Sequence, residues 1–207
     1  MNNKAEKCNS YHHGNLHDAL IIAAASLIEE SGSTDFAMID AARVAGVSSA
    51  APYRHFKDKE ALLEAVCRVA FMALSASSET TAAKHTPGSA ERIVALGQDY
   101  VRFVTGHPQY YDLMWGKVGR QAMESPQVNL QSSGFYVLSG AVQDWCKVKG
   151  ITNTDPIDLA TKLWAMVHGL SGLAINHLVE KFLPNVDINS MVESSCHTFL
   201  EGLEKQA

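Results

Sequence analysis

Residues 37–56, AMIDAARVAGVSSAAPYRHF, carry the signal that decides the fold. The stretch parses as a helix, a tight turn and a second helix. Met38, Ala41, Ala42 and Ala45 recur at i, i+3, i+4 and i+7, which puts them on one helical face. Gly46 stops that helix, because glycine enters the left-handed C′ conformation cheaply. Val47 plugs the turn, and the Ser48 hydroxyl can cap the next helix. Pro52 falls in the first turn of that second helix, where a missing N–H costs little. Small residues at such a crossing let two short helices approach closely, the arrangement by which proteins set a helix into the major groove of DNA.

Upstream, residues 15–32 read as a first helix. Asn15 is its N-cap, Asp18 returns a capping-box contact, and Gly32 ends it. Leu16, Ala19, Leu20, Ala23, Ala24, Leu27 and Ile28 form its apolar stripe. Phe36 and Phe56 belong to the small core. Residues 1–14 are polar; Lys4, Lys7, His12 and His13 suit either a DNA-touching arm or a plain leader. Downstream, Asp58 caps another helix with Leu62, Leu63, Val66, Ala70, Phe71 and Leu74 inward, the natural lever between two domains. Residues 75–89, SASSETTAAKHTPGS, are small and polar with a Pro87-Gly88 breaker, so the domain boundary is placed there.

The remainder reads as helical throughout. Ser89 caps a helix ending at Gly106, and His107-Pro108 opens a short one. Residues 116–126 read as a looser connection, and 128–148 as a helix stopped by Gly150. Asp155, Pro156 and Asp158 make a strong helix start, with the helix running to about Lys181. Asp187 caps the last helix, which carries Ile188, Met191, Val192, Ser195, Phe199 and Leu203.

Composition excludes several classes. With 207 residues, 46% hydrophobic and 19% charged, the chain is globular. No apolar run approaches the length that spans a bilayer, and the N-terminus has no secretory core, so a cytoplasmic protein without membrane association is expected. Cys8, Cys67, Cys146 and Cys196 are scattered, as reduced thiols are. The net charge of −5 argues against a general polyanion binder. Between residues 41 and 59, however, Arg43, Arg54, Lys57 and Lys59 face Asp58 alone, a local balance of +3 that a dimer doubles. No phosphate loop, nucleophile elbow or zinc-protease motif is present. Cys196 and His197 diverge on a helix, and His168 and His177 are too far apart to share a metal unaided. An enzyme, a metal site and a cofactor are therefore not expected.

Residues 45–66, AGVSSAAPYRHFKDKEALLEAV, resemble the N-terminal domain of TetR-family transcriptional regulators. Tyr11, His12, His13, Gly14, Asn15 and Leu16 resemble the lead-in of one subgroup. That subgroup also carries a Trp-x3-His-Gly pattern in its C-terminal domain, which stands here as Trp164, His168 and Gly169. The first resemblance covers about 60 residues and is specific in combination, where a bare helix-turn-helix would be weak. The expected fold is all-α: an N-terminal three-helix DNA-binding domain over 14–75 and a C-terminal helical bundle for ligand and dimerisation over 89–207.

Ser48, Ser49, Ala50 and Ala51 stand at the start of the reading helix, where hydroxyls bond base edges or phosphates and methyls meet thymine methyl groups. The resemblance implies that Tyr53, His55 and Lys59 contact the DNA backbone, which fixes register and not sequence. The competing readings are a half-buried packing tyrosine and a solvated surface lysine. Two positions depart from the family: Ala37 stands where Ser or Thr caps and meets a phosphate, and Ile39 where a basic or polar residue is common. Both weaken the electrostatic grip. The resemblance also implies that the last two helices pair with their mates in a second subunit. Small residues Gly169, Ser171, Gly172 and Ala174 permit that approach.

Tyr100, Phe103, Tyr110, Met114, Trp115, Trp145, Trp164 and Met166 are candidates to line a cavity for an unidentified small molecule, with His168 as its polar handle. The plainer reading makes them core and His168 a satisfied buried histidine. The expected function is a dimeric transcriptional regulator on a palindromic operator, a repressor released by its effector. The alternatives are a helical carrier or enzyme with a vestigial helix-turn-helix and, more remotely, a thiol-based sensor.

Overall fold

The computed structural model describes residues 16–124 and 133–206. Among them the regular structure is helical: α1 (Leu16–Ser31), α2 (Met38–Val44), a 3₁₀ turn (Pro52–Arg54), α3 (Lys59–Ala82), α4 (Ala90–Gly106), α5 (Pro108–Trp115), α6 (Lys117–Met123), α7 (Gly134–Lys149), α8 (Pro156–Ile175), α9 (Val179–Phe182) and α10 (Ile188–Glu204). The chain forms two compact units that part between Val66 and Cys67. The expectations for Lys4, Lys7, Cys8, His12, His13 and the Asn15 cap fall outside the described residues.

In the first unit, α1 buries Leu20, Ile21, Ala23, Ala24 and Ile28. Against it lie Met38, Ala41, Ala42 and Ala45 of the following segment, closed by Phe36, Phe56, Leu62 and Leu63. Gly46 ends α2 as expected, with φ +70°. It forms a Schellman motif, in which the Val47 N–H donates to the Ala42 carbonyl at 2.9 Å and the Gly46 N–H to that of Arg43 at 3.1 Å. At the other end of α2, the Asp40 carboxylate accepts the Ala37 N–H at 2.9 Å. The Ala37 methyl cannot return the bond, so half of a capping box is missing.

The second helix of the motif departs from the sequence expectation. Between Ser48 and Phe56 the chain is a succession of tight turns, and only Pro52–Arg54 is regular, as 3₁₀. Ser48 is not the cap; its carbonyl accepts the Ala51 N–H at 2.9 Å, and Ala51 occupies the N-cap of the 3₁₀ turn. The cause is Pro52. Counted from Ser48, its nitrogen would close the first α-type bond, and it has no hydrogen to do so.

In the second unit, α4 packs against α8, α10, α7 and α5, and α7 against α8. The core holds Trp145, Met114, Ile93, Val101, Val104, Leu159 and Leu163, all 2% exposed or less. Asp58 caps α3 through the Ala61 N–H at 2.8 Å, Ser89 caps α4 through Arg92, Asp155 caps α8 through Ile157, and Asp187 caps α10 through Asn189 and Ser190.

Several bounds differ from the sequence reading. α3 continues through residues 75–82, because Ser75, Ser78 and Thr80 return their hydroxyls to carbonyls one turn back and stay helical. By length and composition α3 could cross a bilayer, contrary to expectation, since alanines and hydroxyl residues dilute its charges; 44% of its most apolar window is buried. The connection after Gly116 contains α6. Gly119 permits it, since a Cβ there would collide with the Met114 carbonyl oxygen. α7 starts at Gly134, and the residues before Ser133 down to 125 lie outside the described residues. α8 stops at Ile175 and not near Lys181. His177 adopts φ +53° there, and the Leu178 N–H returns to the Leu173 carbonyl at 2.9 Å, a helix stop built without glycine.

Candidate DNA-binding surface and effector cavity

The turn-rich segment after Gly46 displays its polar residues. Pro52 and Phe56 point into the core, at 4% exposure for Phe56, and leave Tyr53, Arg54 and His55 outward. Tyr53 is 60% exposed, which removes the packing-residue reading. Ser48, Ser49 and Ala50 are exposed, and Ala51 is part-buried. His17 stacks on Phe56 with centroids 4.8 Å apart and meets His55 edge-on at 6.3 Å.

The cations are partly engaged. The Arg43 guanidinium donates to Asp40 at 2.8 Å. Lys59 Nζ lies 3.9 Å from Asp35 and 4.9 Å above the Phe36 ring. Lys57 stands 4.0 Å from Asp58. These are surface pairs of about 0–1 kcal/mol, readily exchanged for a phosphate. Arg54 is exposed on the 3₁₀ turn with no ion-pair partner among the described residues. Sequence reasoning counted it in the charge and overlooked it as a contact; its place between Tyr53 and His55 was the available signal. Ile39 is 56% exposed.

Within the second unit a cavity of about 300 Å³ opens among α3, α4, α5, α6, α7, α8 and α10. Of the sequence candidates, Tyr100, Trp115 and Trp164 line it. Trp115 and Trp164 meet with centroids 5.1 Å apart, and Phe71 packs edge-on against Trp115 at 5.4 Å. Tyr110, Met114 and Trp145 are buried elsewhere in the core, because their helix faces turn away from the opening. Phe103 is part-buried beside His107, with centroids 5.6 Å apart, and Met166 lies off the wall.

His168 is not a handle pointing into the cavity. Its Nδ1 lies 2.7 Å from the Tyr100 hydroxyl and its Nε2 3.0 Å from that of Tyr111, so both nitrogens are spent on neighbours. The Tyr111 hydroxyl also donates to the His168 carbonyl at 3.3 Å, over Gly172, where a Cβ would stand 3.0 Å from that hydroxyl. Burial lowers the His168 pKa and pushes that of Tyr100 up, which keeps both neutral. The satisfied-histidine reading describes this geometry.

The sequence reading missed much of the wall: Phe71, Leu74, Ser75 and Ser78 from α3, Leu96 and Gly97 from α4, Phe135 and Leu138 from α7, and Leu163, Val167 and Cys196. The α3 stripe was visible, but a stripe does not say whether it faces core or cavity. A Cβ on Gly97 would meet Val192 at 3.0 Å, so this glycine lets α10 close the wall. Burial raises the Cys196 thiol to about 11 and also raises Cys146, which leaves both protonated and unreactive near neutrality. Among the described residues no group of three His, Cys, Asp or Glu converges as metal ligands would.

Comparison with known proteins agrees with this architecture. Residues 20–66 match the model of the bacterial regulatory proteins of the tetR family, and residues 93–198 match that of the tetracyclin repressor-like C-terminal domain. A protein of unknown function from Rhodococcus sp. RHA1 is similar in structure, with TM-score 0.77 and 28% identity over 95% of this chain and 99% of that one. A putative TetR-family regulator from Mesorhizobium loti MAFF303099 shares the fold at TM-score 0.67 and 17% identity, over 92% and 98% of the two chains. So does the regulator FadR from Bacillus subtilis in complex with stearoyl-CoA, at TM-score 0.62 and 15% identity, over 90% and 98%. No curated protein matches the sequence. With both halves matched and the helix-turn-helix in place, the chain belongs to the TetR family of transcriptional regulators.

Proposed function

We propose that this regulator is a cytoplasmic repressor that binds a palindromic operator as a homodimer and leaves it when a small molecule fills the C-terminal cavity. The observation that carries the DNA half is the outward row Tyr53, Arg54 and His55, fixed from beneath by buried Pro52 and Phe56. Ser48, Ser49, Ala50 and Ala51 meet the groove, while Tyr53, His55 and Lys59, joined by Arg54, hold phosphates. In this reading residues 14–75 bind DNA and 89–207 bind effector and partner.

Dimerisation is assigned to α8 and α10. Each buries one stripe in its own unit, Leu163 and Val167 on α8 and Val192, Cys196 and Leu200 on α10. Gly169 and Leu173 remain exposed, and Met191, Phe199 and Leu203 lie at or near the surface, which leaves an apolar face for a second subunit. The Trp164, His168 and Gly169 pattern supports membership of the corresponding subgroup, with His168 clamping the Tyr100 wall residue. Effector binding shifts the dimer away from the state whose reading segments stand one helical turn apart, about 34 Å.

Selection from a random DNA pool, with sedimentation of the protein alone and on the selected DNA, tests this. The proposal expects a palindrome bound by one dimer. A monomer that enriches no sequence favours the carrier reading, which the missing Ala37 cap and the engaged cations keep in contention.

A further inference from the structure

One histidine beside the reading segment has its proton placed by a neighbour. His17, in the first turn of α1, lies flat on Phe56, with centroids 4.8 Å apart and planes at 25°. Phe56 is buried and fixes the plane of the imidazole, while 42% of the His17 side chain stays exposed. Its Nδ1 lies 3.1 Å from the Asp18 carboxylate. The His55 ring meets it edge-on at 6.3 Å. His17 therefore borders the exposed row of Tyr53, Arg54 and His55.

An ionised carboxylate accepts hydrogen bonds and donates none, so Nδ1 is the protonated nitrogen of neutral His17. Its Nε2 is then a bare lone pair, and no partner for it stands among the described residues. The oxygens of a DNA phosphate also only accept. Neutral His17 thus turns a lone pair toward any phosphate beside it and forms no bond. Once Nε2 takes a proton from solvent, both ring nitrogens donate: Nδ1–H to Asp18 and Nε2–H to the phosphate, each bond charge-assisted. Asp18 and the phosphate both favour the charged ring. The other groups set against it are those of the segment after Gly46: His55 in ring contact, with Tyr53, Arg54 and Lys57 on the same stretch. A proton on His55 opposes one on His17 in the free protein, and a phosphate at the patch offsets that repulsion.

We propose that His17 is a proton-dependent phosphate contact, so that the protein takes up a proton as it binds DNA. The DNA-bound state holds more protons than the free one, and affinity therefore rises as pH falls through the range in which histidine charges. The inference rests on the reading of the segment after Gly46 as the DNA-facing surface.

The test is fluorescence anisotropy of the full chain on a mixed-sequence DNA duplex, which suffices because phosphate contacts carry no sequence information. Salt is held constant, and binding is compared at about pH 8 and about pH 6. The parent is expected to bind about five- to ten-fold tighter at the lower pH. His17→Gln should narrow that gain to about two-fold, the share left to His55 and the other histidines. His17→Arg is charged at both pH values and should bind at the higher one about as tightly as the parent does at the lower. Equal parental affinity at both pH values overturns the proposal. So does a gain that survives intact in His17→Gln, or a His17→Arg that binds no tighter than the parent at the higher pH. If His17→Gln fails to fold, the His17→Arg comparison decides. A Tyr53→Ala, Lys59→Ala double variant keeps the two readings apart. If it binds as the parent does, the surface is misplaced and the proposal falls with it. If it binds weakly while the pH gain survives in His17→Gln, the proposal alone fails.

Discussion

The exposed segment after Gly46 and the cavity of the second unit are built in opposite ways. The first is one contiguous run between α2 and α3, exposed, with backbone turns that bond to near neighbours. The second draws its wall from seven helices whose residues are far apart in sequence, from Phe71 to Cys196. The first rests on a core in which Ala23, Ala24, Ala41, Ala42 and Ala45 sit among a few larger side chains, so that helices approach closely and backbone geometry matters more. The second rests on large side chains, above all Trp145, with no exposed surface. Local conformation therefore governs one region, and packed volume the other.

The sharpest way to break this contrast is to empty the large core. Trp145→Ala is expected to cost about 3–5 kcal/mol in urea denaturation, because a buried indole leaves a cavity that its neighbours cannot close. A loss under about 1 kcal/mol would mean that volume does not govern the second unit. Next comes the backbone of the first unit. Gly46 sits at φ +70° with nothing within 4 Å of a Cβ, so Gly46→Ala meets strain and no clash. Its expected cost is about 1–2 kcal/mol, read from the same denaturation.

A smaller gain sharpens the picture from the other side. Ala37 has the extended backbone of an N-cap, φ −93° and ψ 156°, and Asp40 already supplies the reciprocal bond. Ala37→Ser is expected to add about 1 kcal/mol of stability and to tighten DNA binding. Equal stability would show that the half box suffices.

The smallest effect is a pH dependence in the second unit. Burial lowers the His168 pKa below its ordinary value near 6.5, so the unfolded chain binds the proton first. Its contribution is intact above pH 6.5 and is lost as pH falls through the lowered value of the folded state. Melting temperatures across about pH 7.5 to 5 should fall more for the parent than for His168→Gln. Parallel curves would exclude His168 as the source.

What the sequence disclosed follows the same division. Gly46, Asp58, Ser89, Asp155, Asp187 and Gly150 act as read, because caps and left-handed stops depend on a few adjacent residues. Pro52 was recognised as a helix-start residue, but its register was misjudged: as the residue that should close the first α bond, it turns the second helix into 3₁₀ turns. The end of α8 escaped because His177 occupies a conformation usually given to glycine. In the cavity, Trp164 and Tyr100 were legible as large residues on inward faces, yet so were Trp145 and Met114, which lie in solid core. Helical periodicity gives the buried face and not the place where facing side chains fail to fill it. His168 was noticed for its type, while its two tyrosine partners, 68 and 57 residues distant, belong to tertiary structure alone.

In the proposed function the exposed segment after Gly46 grips DNA phosphates. Its most direct test is fluorescence anisotropy on selected operator DNA over a salt series, for the parent and for a Tyr53→Ala, Lys59→Ala double variant. A phosphate grip gives an affinity that falls linearly with salt on logarithmic axes. The variant should bind more weakly, with a slope reduced by about 0.9 for each phosphate it no longer neutralises. An affinity indifferent to salt, or a variant that matches the parent in both affinity and slope, would contradict it.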